Sequence, residues 1–209
     1  AGMFSFFNAG SGSNQSNHMY KLGPLHQGVV ERGSKATSDS YLLWPAHVGA
    51  FSLIMGRHTQ HSDTSKVPFS YLIEQAGKSY LVPGANLRSV GTIRDAQKWS
   101  KRDIRTDKHI LDQINFTLLN PYTVQKMIQG VAELEAVKTA ANETCVEYTY
   151  NGCVIRRSSL LHGQSVYQMA ILKFLGTMLM RKLATISLKS LHDIKQQLTP
   201  TTSVGVGEW

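Results

Sequence analysis

A histidine in a projecting loop is the first residue of this sequence that could do chemistry. His18 lies in a polar insertion rich in Gly, Ser and Asn, residues 10–23, whose composition is typical of a loop. Asn14 and Asn17 stand close by and offer amide groups that can orient its ring. Because imidazole has an ordinary pKa of about 6.5, His18 is suited to act as a general base near neutral pH. The alternative is a loop histidine that only fills a turn.

Four further histidines, His26, His47, His58 and His61, follow this loop. Positions 26 and 47 are a little more than eighteen residues apart, and His58 and His61 lie close together in GRHTQHSD. One interpretation is a polar groove lining that accepts an anionic substrate, and the other is a metal site. The spacing is weaker than that of any standard zinc motif, so we predict substrate binding and no metal.

Basic side chains are the candidates for binding a phosphate group of the substrate. They are Lys21, Arg32, Arg57, Arg88 and Arg94. Arginine binds phosphate through paired hydrogen bonds, and the small residues between Arg88 and Arg94 would permit close approach of a ligand. The alternative for each arginine is an ordinary surface position.

An apolar ladder with a period of six residues indicates the element that must position these side chains. Its members are Val30, Ala36, Leu42, Val48 and Ile54. A period of six matches neither the helix repeat nor strand alternation, so it predicts a β-solenoid plus α, with the end coils of a left-handed β-helix of hexapeptide repeats. The alternative is an antiparallel sheet with two or three hairpins, although the segment has no Asn-Gly or Asp-Gly turn.

The remaining patterns divide the sequence at residue 93. Residues 1–93 are predicted to hold the end coils, with the loop at 10–23, and residues 94–209 a helical region with a short hairpin near 144–157. The pairs Asn120-Pro121 and Asn151-Gly152 predict a helix boundary and the hairpin turn. Two coils are fewer than a stable repeat array needs, so we expect upstream coils of the same protein as a partner.

Composition limits the classes of partner. The net charge is +8 and the isoelectric point is about 9.5, which favours an anionic small molecule. Nucleic acid is not expected, because zinc-finger spacing and RNA-binding aromatic motifs are missing. The sequence has no signal peptide or long apolar span, which predicts a cytoplasmic protein without a membrane partner. Cys145 and Cys153 are expected to be reduced thiols.

Several stretches resemble the later part of a large bacterial family of uncharacterised function. They are NAGSGSNQSNHMYKLG, the ladder segment through LLWPAHVGAFSLIMGRH, PFSYLIEQ and LVPGANLRSVGTIRDAQKW. Members of that family carry a long left-handed β-helix followed by a helical region, and the resemblance covers the first half of the chain. Similar enzymes are commonly acyl- or acetyltransferases in which a histidine deprotonates the acceptor. The resemblance also implies a coenzyme A thioester as donor substrate, no tightly bound cofactor, and possible assembly into a homotrimer.

Two functions follow as hypotheses. The first is acyl transfer from a thioester to a sugar or sugar nucleotide, with His18 as general base and arginines binding phosphate. The second is non-catalytic binding of a carbohydrate or sugar nucleotide, or scaffolding of an assembly.

Overall fold

The computed structural model describes residues 7–16, 27–88, 90–109, 114, 116–142, 144–186 and 190–199. The strands in these ranges are β1 (Asn8–Ala9), β2 (Asn14–Ser16), β3 (Val29–Val30), β4 (Lys35–Ala36), β5 (Tyr41–Leu43), β6 (His47–Val48), β7 (Leu53–Met55), β8 (Arg57–His58), β9 (Tyr71–Gln75), β10 (Lys78–Val82), β11 (Glu147–Tyr150) and β12 (Cys153–Arg156). The α-helices are α1 (Val90–Arg102), α2 (Pro121–Thr139), α3 (Arg157–Leu183) and α4 (Leu191–Leu198). None of these helices is long and apolar enough to cross a lipid bilayer.

The largest sheet is mixed. It has seven strands in the order β1-β4-β7-β9-β10-β12-β11, with parallel pairing from β1 to β9 and antiparallel pairing in β9–β10 and β11–β12. With the helices this makes an α/β fold, so the predicted β-solenoid with left-handed β-helix end coils is wrong. The six-residue pattern describes only short strands early in the chain. Two hairpins extend the same sheet, because their longer β-prone runs pair with each other around tight turns.

The ladder residues are nevertheless buried. Ala36, Leu42, Val48 and Ile54 are at most 6 % exposed, while Val30 is half-buried and packs against the core. They lie on short parallel strands, in which Val30 is opposite Val48 and Ala36 is opposite Ile54. Each partner therefore comes eighteen residues later. Burial of small aliphatic side chains explains the spacing that the sequence shows.

The second hairpin joins the two parts of the chain. It forms around Asn151-Gly152, where both residues have positive φ, as the sequence predicts. Tyr80 of β10 pairs in parallel with Val154 of β12. One sheet therefore contains strands from both sides of residue 93.

Helices α2 and α3 pack on each other and on this sheet. Two glycines allow close approach, since a Cβ on Gly130 would lie 2.7 Å from the carbonyl oxygen of Lys66 and one on Gly163 would lie 2.6 Å from Pro83 Cβ. In the early part of the chain the buried rings of Phe51 and Phe69 stack with centroids 5.1 Å apart. Tyr167 of α3 is also fully buried, and its hydroxyl donates to the carbonyl oxygen of Pro68 over 2.5 Å, which links α3 to this part of the core.

Candidate active site

The pairing of β3 with β6 places the residues of the candidate site. Val29 is opposite His47, and Val30 is opposite Val48. Because side chains alternate along a strand, Glu31 points to the same side as Val29 and therefore to the side of His47. The two polar side chains meet beside the buried ladder.

His47 and Glu31 form a hydrogen-bonded pair. The distance from His47 Nε2 to Glu31 Oε1 is 2.7 Å. The Glu31 side chain is 8 % exposed and that of His47 is 34 % exposed, so the carboxylate is shielded while the ring reaches solvent. A carboxylate can only accept, so Nε2 carries a proton, and the lone pair of the neutral form of the ring is then on Nδ1. Among the described residues Nδ1 has no hydrogen-bond partner.

Tyr122 holds the second carboxylate oxygen. Its hydroxyl donates to Glu31 Oε2 over 2.7 Å. Tyr122 is brought there by the start of α2, where Asn120 caps the helix, its side chain accepting from Thr123 N–H, and Pro121 is the first helical residue. This cap is the boundary that Asn120-Pro121 predicts.

Two cations complete the surroundings of Glu31. Lys126 Nζ lies 3.9 Å from Glu31 Oε1 and 5.5 Å from the Tyr122 ring centroid. Arg32, which is buried, lies with Cζ 4.8 Å from the same centroid. Burial is the main cause that lowers the pKa of Arg32, and it remains a cation. Two positive charges therefore lie close to the Glu31 carboxylate.

The ring of His47 lines an open cavity of about 720 Å³. The other lining residues are Gln27, Gly28, Val29, Trp44, Pro45, Ala46, His61, Ser62 and Asp63. Residues 61–63 belong to the next segment along, where His47 forms an isolated parallel bridge with Asp63. Asp63 Oδ1 accepts from the backbone N–H of Ser65 over 2.9 Å. The cavity therefore presents two imidazoles, a carboxylate, an amide and an indole.

This arrangement can perform general-base chemistry. A histidine within hydrogen-bond reach of a carboxylate is held in one orientation, and the imidazolium that forms during proton transfer is stabilised by the negative charge. The cavity leaves space for a substrate beside the ring. No such pairing surrounds the other described histidines.

His58, which lies on β8, has surroundings different from those of His47 on β6. It is fully buried, with Nδ1 2.9 Å from Ser79 Oγ and Nε2 3.1 Å from the carbonyl oxygen of Met55. Burial lowers the pKa of His58 to about 4. The ring is therefore neutral at pH 7 and serves the packing between β8 and β10.

Several predicted site residues fall outside the described part of the chain. They are His18, the predicted general base, together with Asn17, Lys21 and His26. Asn14 is described, lies on β2 and is exposed. Their predicted roles stay predictions.

Three of the predicted phosphate-binding arginines contact different groups of the protein. Arg57 lies over the ring of Tyr41 with Cζ 5.2 Å from its centroid. Arg88 Nη1 is 3.3 Å from His162 Nε2, and Arg94 Nε is 3.5 Å from Asp95 Oδ1. None of these three arginines lines the cavity, and neither does Arg32. Of the predicted residues that the structure describes, His47 and His61 are brought together there.

Sequence reasoning missed Glu31, Tyr122, Trp44 and Asp63. The sequence does contain a signal for Glu31. An offset of eighteen residues between paired ladder positions places Val29 opposite His47. Because side chains alternate along a strand, Glu31 then lies on the same side of its strand as Val29, next to His47. Tyr122 gave no comparable signal, since its contact with Glu31 spans 91 residues of sequence. Among the described residues, no group of three or more His, Cys, Asp or Glu side chains is arranged to hold a metal ion.

Comparison with known protein families gives a match over the first part of the chain. Residues 1–138 match the family described as "Domain of unknown function (DUF4954)". No curated protein and no solved structure was found to match the chain.

Proposed function

The chain belongs to the DUF4954 family, whose description states no activity, and we propose that it is an acyltransferase in which His47 is the general base. The observation that carries this proposal is the 2.7 Å contact between His47 Nε2 and Glu31 Oε1 beside a cavity of about 720 Å³. Acyl transfer from a thioester needs a base, positioning and little else, so this pair is sufficient for its proton transfers.

The reaction proceeds by proton transfer at His47 Nδ1. As the acceptor hydroxyl gives its proton to Nδ1, its oxygen attacks the thioester carbonyl and forms the new carbon–oxygen bond. The tetrahedral intermediate then collapses, the carbon–sulfur bond breaks, and the thiolate leaves. The imidazolium returns the proton to the thiolate, so the products are an ester and a thiol, and His47 is neutral again.

Glu31 and Tyr122 position the base. With Nε2–H donated to Glu31, the lone pair of His47 stays on Nδ1, and the carboxylate stabilises the transient imidazolium. The Tyr122 hydroxyl fixes the other carboxylate oxygen, so that the carboxylate cannot turn away from the ring. These two are positioning residues, because they act through His47.

The lining of the cavity favours an acceptor without negative charge. No lysine or arginine stands among its described lining residues, whereas the carboxylate of Asp63 does. An indole and aliphatic side chains suit the apolar face of a sugar ring, and the amide of Gln27 with Asp63 suits its hydroxyl groups. We therefore propose a neutral sugar hydroxyl as acceptor and a coenzyme A thioester as donor.

The test is thiol release from acetyl-coenzyme A in the presence of neutral, amino- and phosphorylated sugars. Acceptor-dependent release is expected with neutral sugars, and the His47→Ala variant is expected to lose about 10²- to 10⁴-fold in turnover. The exposed His162, which lies on α3, supplies a matched control, His162→Ala, whose turnover should equal that of the wild type.

Two outcomes would contradict the proposal. One is a lack of acceptor-dependent thiol release by the wild type with every sugar. The other is equal release by His47→Ala and wild type. Sugar binding, seen as a rise in melting temperature without thiol release, would instead support the non-catalytic alternative.

A further inference from the structure

The outer half of α3 exposes an unusual amount of apolar surface. This outer half is residues 172–183. The large apolar side chains of α3 that are between 37 and 70 % exposed are Leu161 and Met169 in its first half and Leu172, Leu175, Met178, Leu179 and Met180 in its outer half. The inner face of the same helix is buried through Leu160, Gly163, Val166, Tyr167 and Ala170. The helix is thus fixed to the body on one side and leaves an apolar surface free on the other.

The spacing places this free surface opposite the core. At about 100° per residue, Leu172, Leu175 and Leu179 fall within a sector of roughly 60°, which lies about 80° to 140° from the direction of Tyr167. Adding Met180 widens the sector to roughly 140°, whereas Met178 lies close to the direction of Tyr167, beyond the last buried residue of the helix. Lys173, Thr177 and Arg181 follow one another at every fourth position and form a polar line beside it.

The charged side chains on the outer half of α3 are all basic. Between Glu147 and Asp193 the sequence contains no Asp or Glu. Lys173, Arg181 and Lys182 are exposed on the outer half of α3. Bulky apolar groups and these three cations therefore lie together on the outer half of α3 and form one face.

We propose that this face binds the surface of an anionic phospholipid bilayer. A helix with a broad apolar sector and basic flanks lies in the bilayer interface, with its apolar side chains among the acyl chains and its cations at the headgroups. Lysine and arginine reach the headgroups with their charged ends while their stems stay in the apolar layer.

The charge pattern favours a bilayer over a second copy of the chain. Two identical faces would bring Lys173, Arg181 and Lys182 of each copy together without an acidic side chain between positions 148 and 192 to pair with them. The apolar sector is also wider than the narrow seam with which one helix covers another. The sequence-based expectation of no membrane partner rests on the lack of a segment long enough to span a bilayer. A helix that lies on the bilayer surface needs no such segment.

The experiment is co-sedimentation of the full 209-residue chain with lipid vesicles. Vesicles of phosphatidylcholine alone are compared with vesicles that also contain phosphatidylglycerol. We expect binding to the anionic vesicles that weakens as salt is added. The charge-reversed variant Lys173→Glu/Lys182→Glu should lower the partition coefficient at least about tenfold. The control Lys78→Glu/Lys108→Glu, at exposed positions elsewhere, should change it much less.

A second pair of variants tests the apolar contribution. Leu172→Gln/Leu175→Gln/Leu179→Gln should abolish binding, and the matched control Ile93→Gln/Ile104→Gln/Ile128→Gln, at exposed apolar positions outside α3, should retain it. Circular dichroism confirms that both fold, which is expected because the changed side chains are exposed.

Three results would overturn this inference. They are failure of the wild type to sediment with anionic vesicles, equal binding by the α3 variants and their controls, and a wild-type dimer that the three α3 glutamines dissociate. Acyl transfer measured without vesicles should be the same in all four variants. The membrane proposal and the acyltransferase proposal therefore fail or succeed separately.

Discussion

Two histidines that lie eleven residues apart, His47 and His58, have opposite surroundings. His47 lies at the edge of an open cavity with one nitrogen bound to the carboxylate of Glu31. His58 is enclosed, with one nitrogen bound to a hydroxyl and the other to a carbonyl. Both lie on two-residue parallel strands of the same part of the chain. The strand context therefore does not decide what a histidine does.

The difference lies in which nitrogen lone pair is available. At His58 the Met55 carbonyl can only accept, so Nε2 carries the proton and Nδ1 accepts from the Ser79 hydroxyl. Both ring nitrogens are then used within the protein. At His47 the carboxylate accepts from Nε2–H, and no residue in the described part of the chain binds Nδ1. A base needs that free lone pair together with access for its substrate.

The largest expected effect is that of the buried His58 ring on the pH dependence of the free energy of unfolding. Because the folded-state pKa of His58 is about 4 and that of an unfolded chain is about 6.5, unfolding takes up a proton between these values. The contribution of His58 to the free energy of unfolding is complete above about pH 6.5 and is lost as the pH falls towards 4, by about 3 kcal/mol. Urea unfolding across this range measures the loss.

The His58→Gln variant isolates that contribution. Glutamine keeps a donor and an acceptor but does not titrate, so the variant should lack this part of the acid destabilisation. Equal pH dependence of unfolding in the variant and the wild type would show that His58 is already protonated in the folded protein or is not buried.

The next largest effect is expected from a change of Glu31, the carboxylate bound to His47. In Glu31→Gln the Tyr122 hydroxyl can still bind the amide oxygen, which turns the amide nitrogen towards His47 Nε2. Because that nitrogen donates, the proton of His47 moves to Nδ1 and the base is lost. Turnover should fall about 10²-fold. Glu135→Gln, at an exposed glutamate on α2, is the matched control and should retain full turnover.

A smaller effect is expected from Tyr122→Phe. This change removes the hydrogen bond to Glu31 Oε2 but leaves the ring that Arg32 contacts. The free energy of unfolding should fall by about 1.5 to 3 kcal/mol, typical of a hydrogen bond to a charged group, and turnover by less than about tenfold. A turnover equal to that of Glu31→Gln would mean that the tyrosine touches the substrate directly and does not act through Glu31.

The smallest effect is expected beside the buried histidine. Arg57, the neighbour of His58 on β8, lies over the Tyr41 ring at 5.2 Å. Arg57→Ala should cost about 0.5 to 1 kcal/mol of unfolding free energy through this cation–π contact and leave turnover unchanged. Loss of turnover would show that Arg57 binds the substrate, as the sequence predicts.

Part of this structure could be predicted from local sequence. The turn at Asn151-Gly152 and the helix start at Asn120-Pro121 depend on residues adjacent in the chain, and the structure confirms both. The burial of Ala36 and Ile54 also follows from their spacing. The fold class could not be predicted, because extension of the sheet by β10 and β12 depends on contacts distant in sequence.

The candidate site, like the fold, could be predicted from the sequence only in part. His47 and His61 stand out by residue type, and the structure places both at the cavity. What distinguishes His47 is a carboxylate on a neighbouring strand and a tyrosine that α2 brings back from 91 residues away. Residue type shows which side chains can act as a base, but tertiary contacts decide which one is oriented to do so.

The most direct test of this account compares His47→Gln with His58→Gln in the same two measurements, acyl transfer and urea unfolding at pH 7. We predict that His47→Gln loses at least about 10²-fold in turnover while its free energy of unfolding stays close to that of the wild type. We predict the reverse for His58→Gln, with lower stability and retained turnover. Retained turnover in His47→Gln, or loss of turnover only in His58→Gln, would contradict the assignment of His47 as the general base.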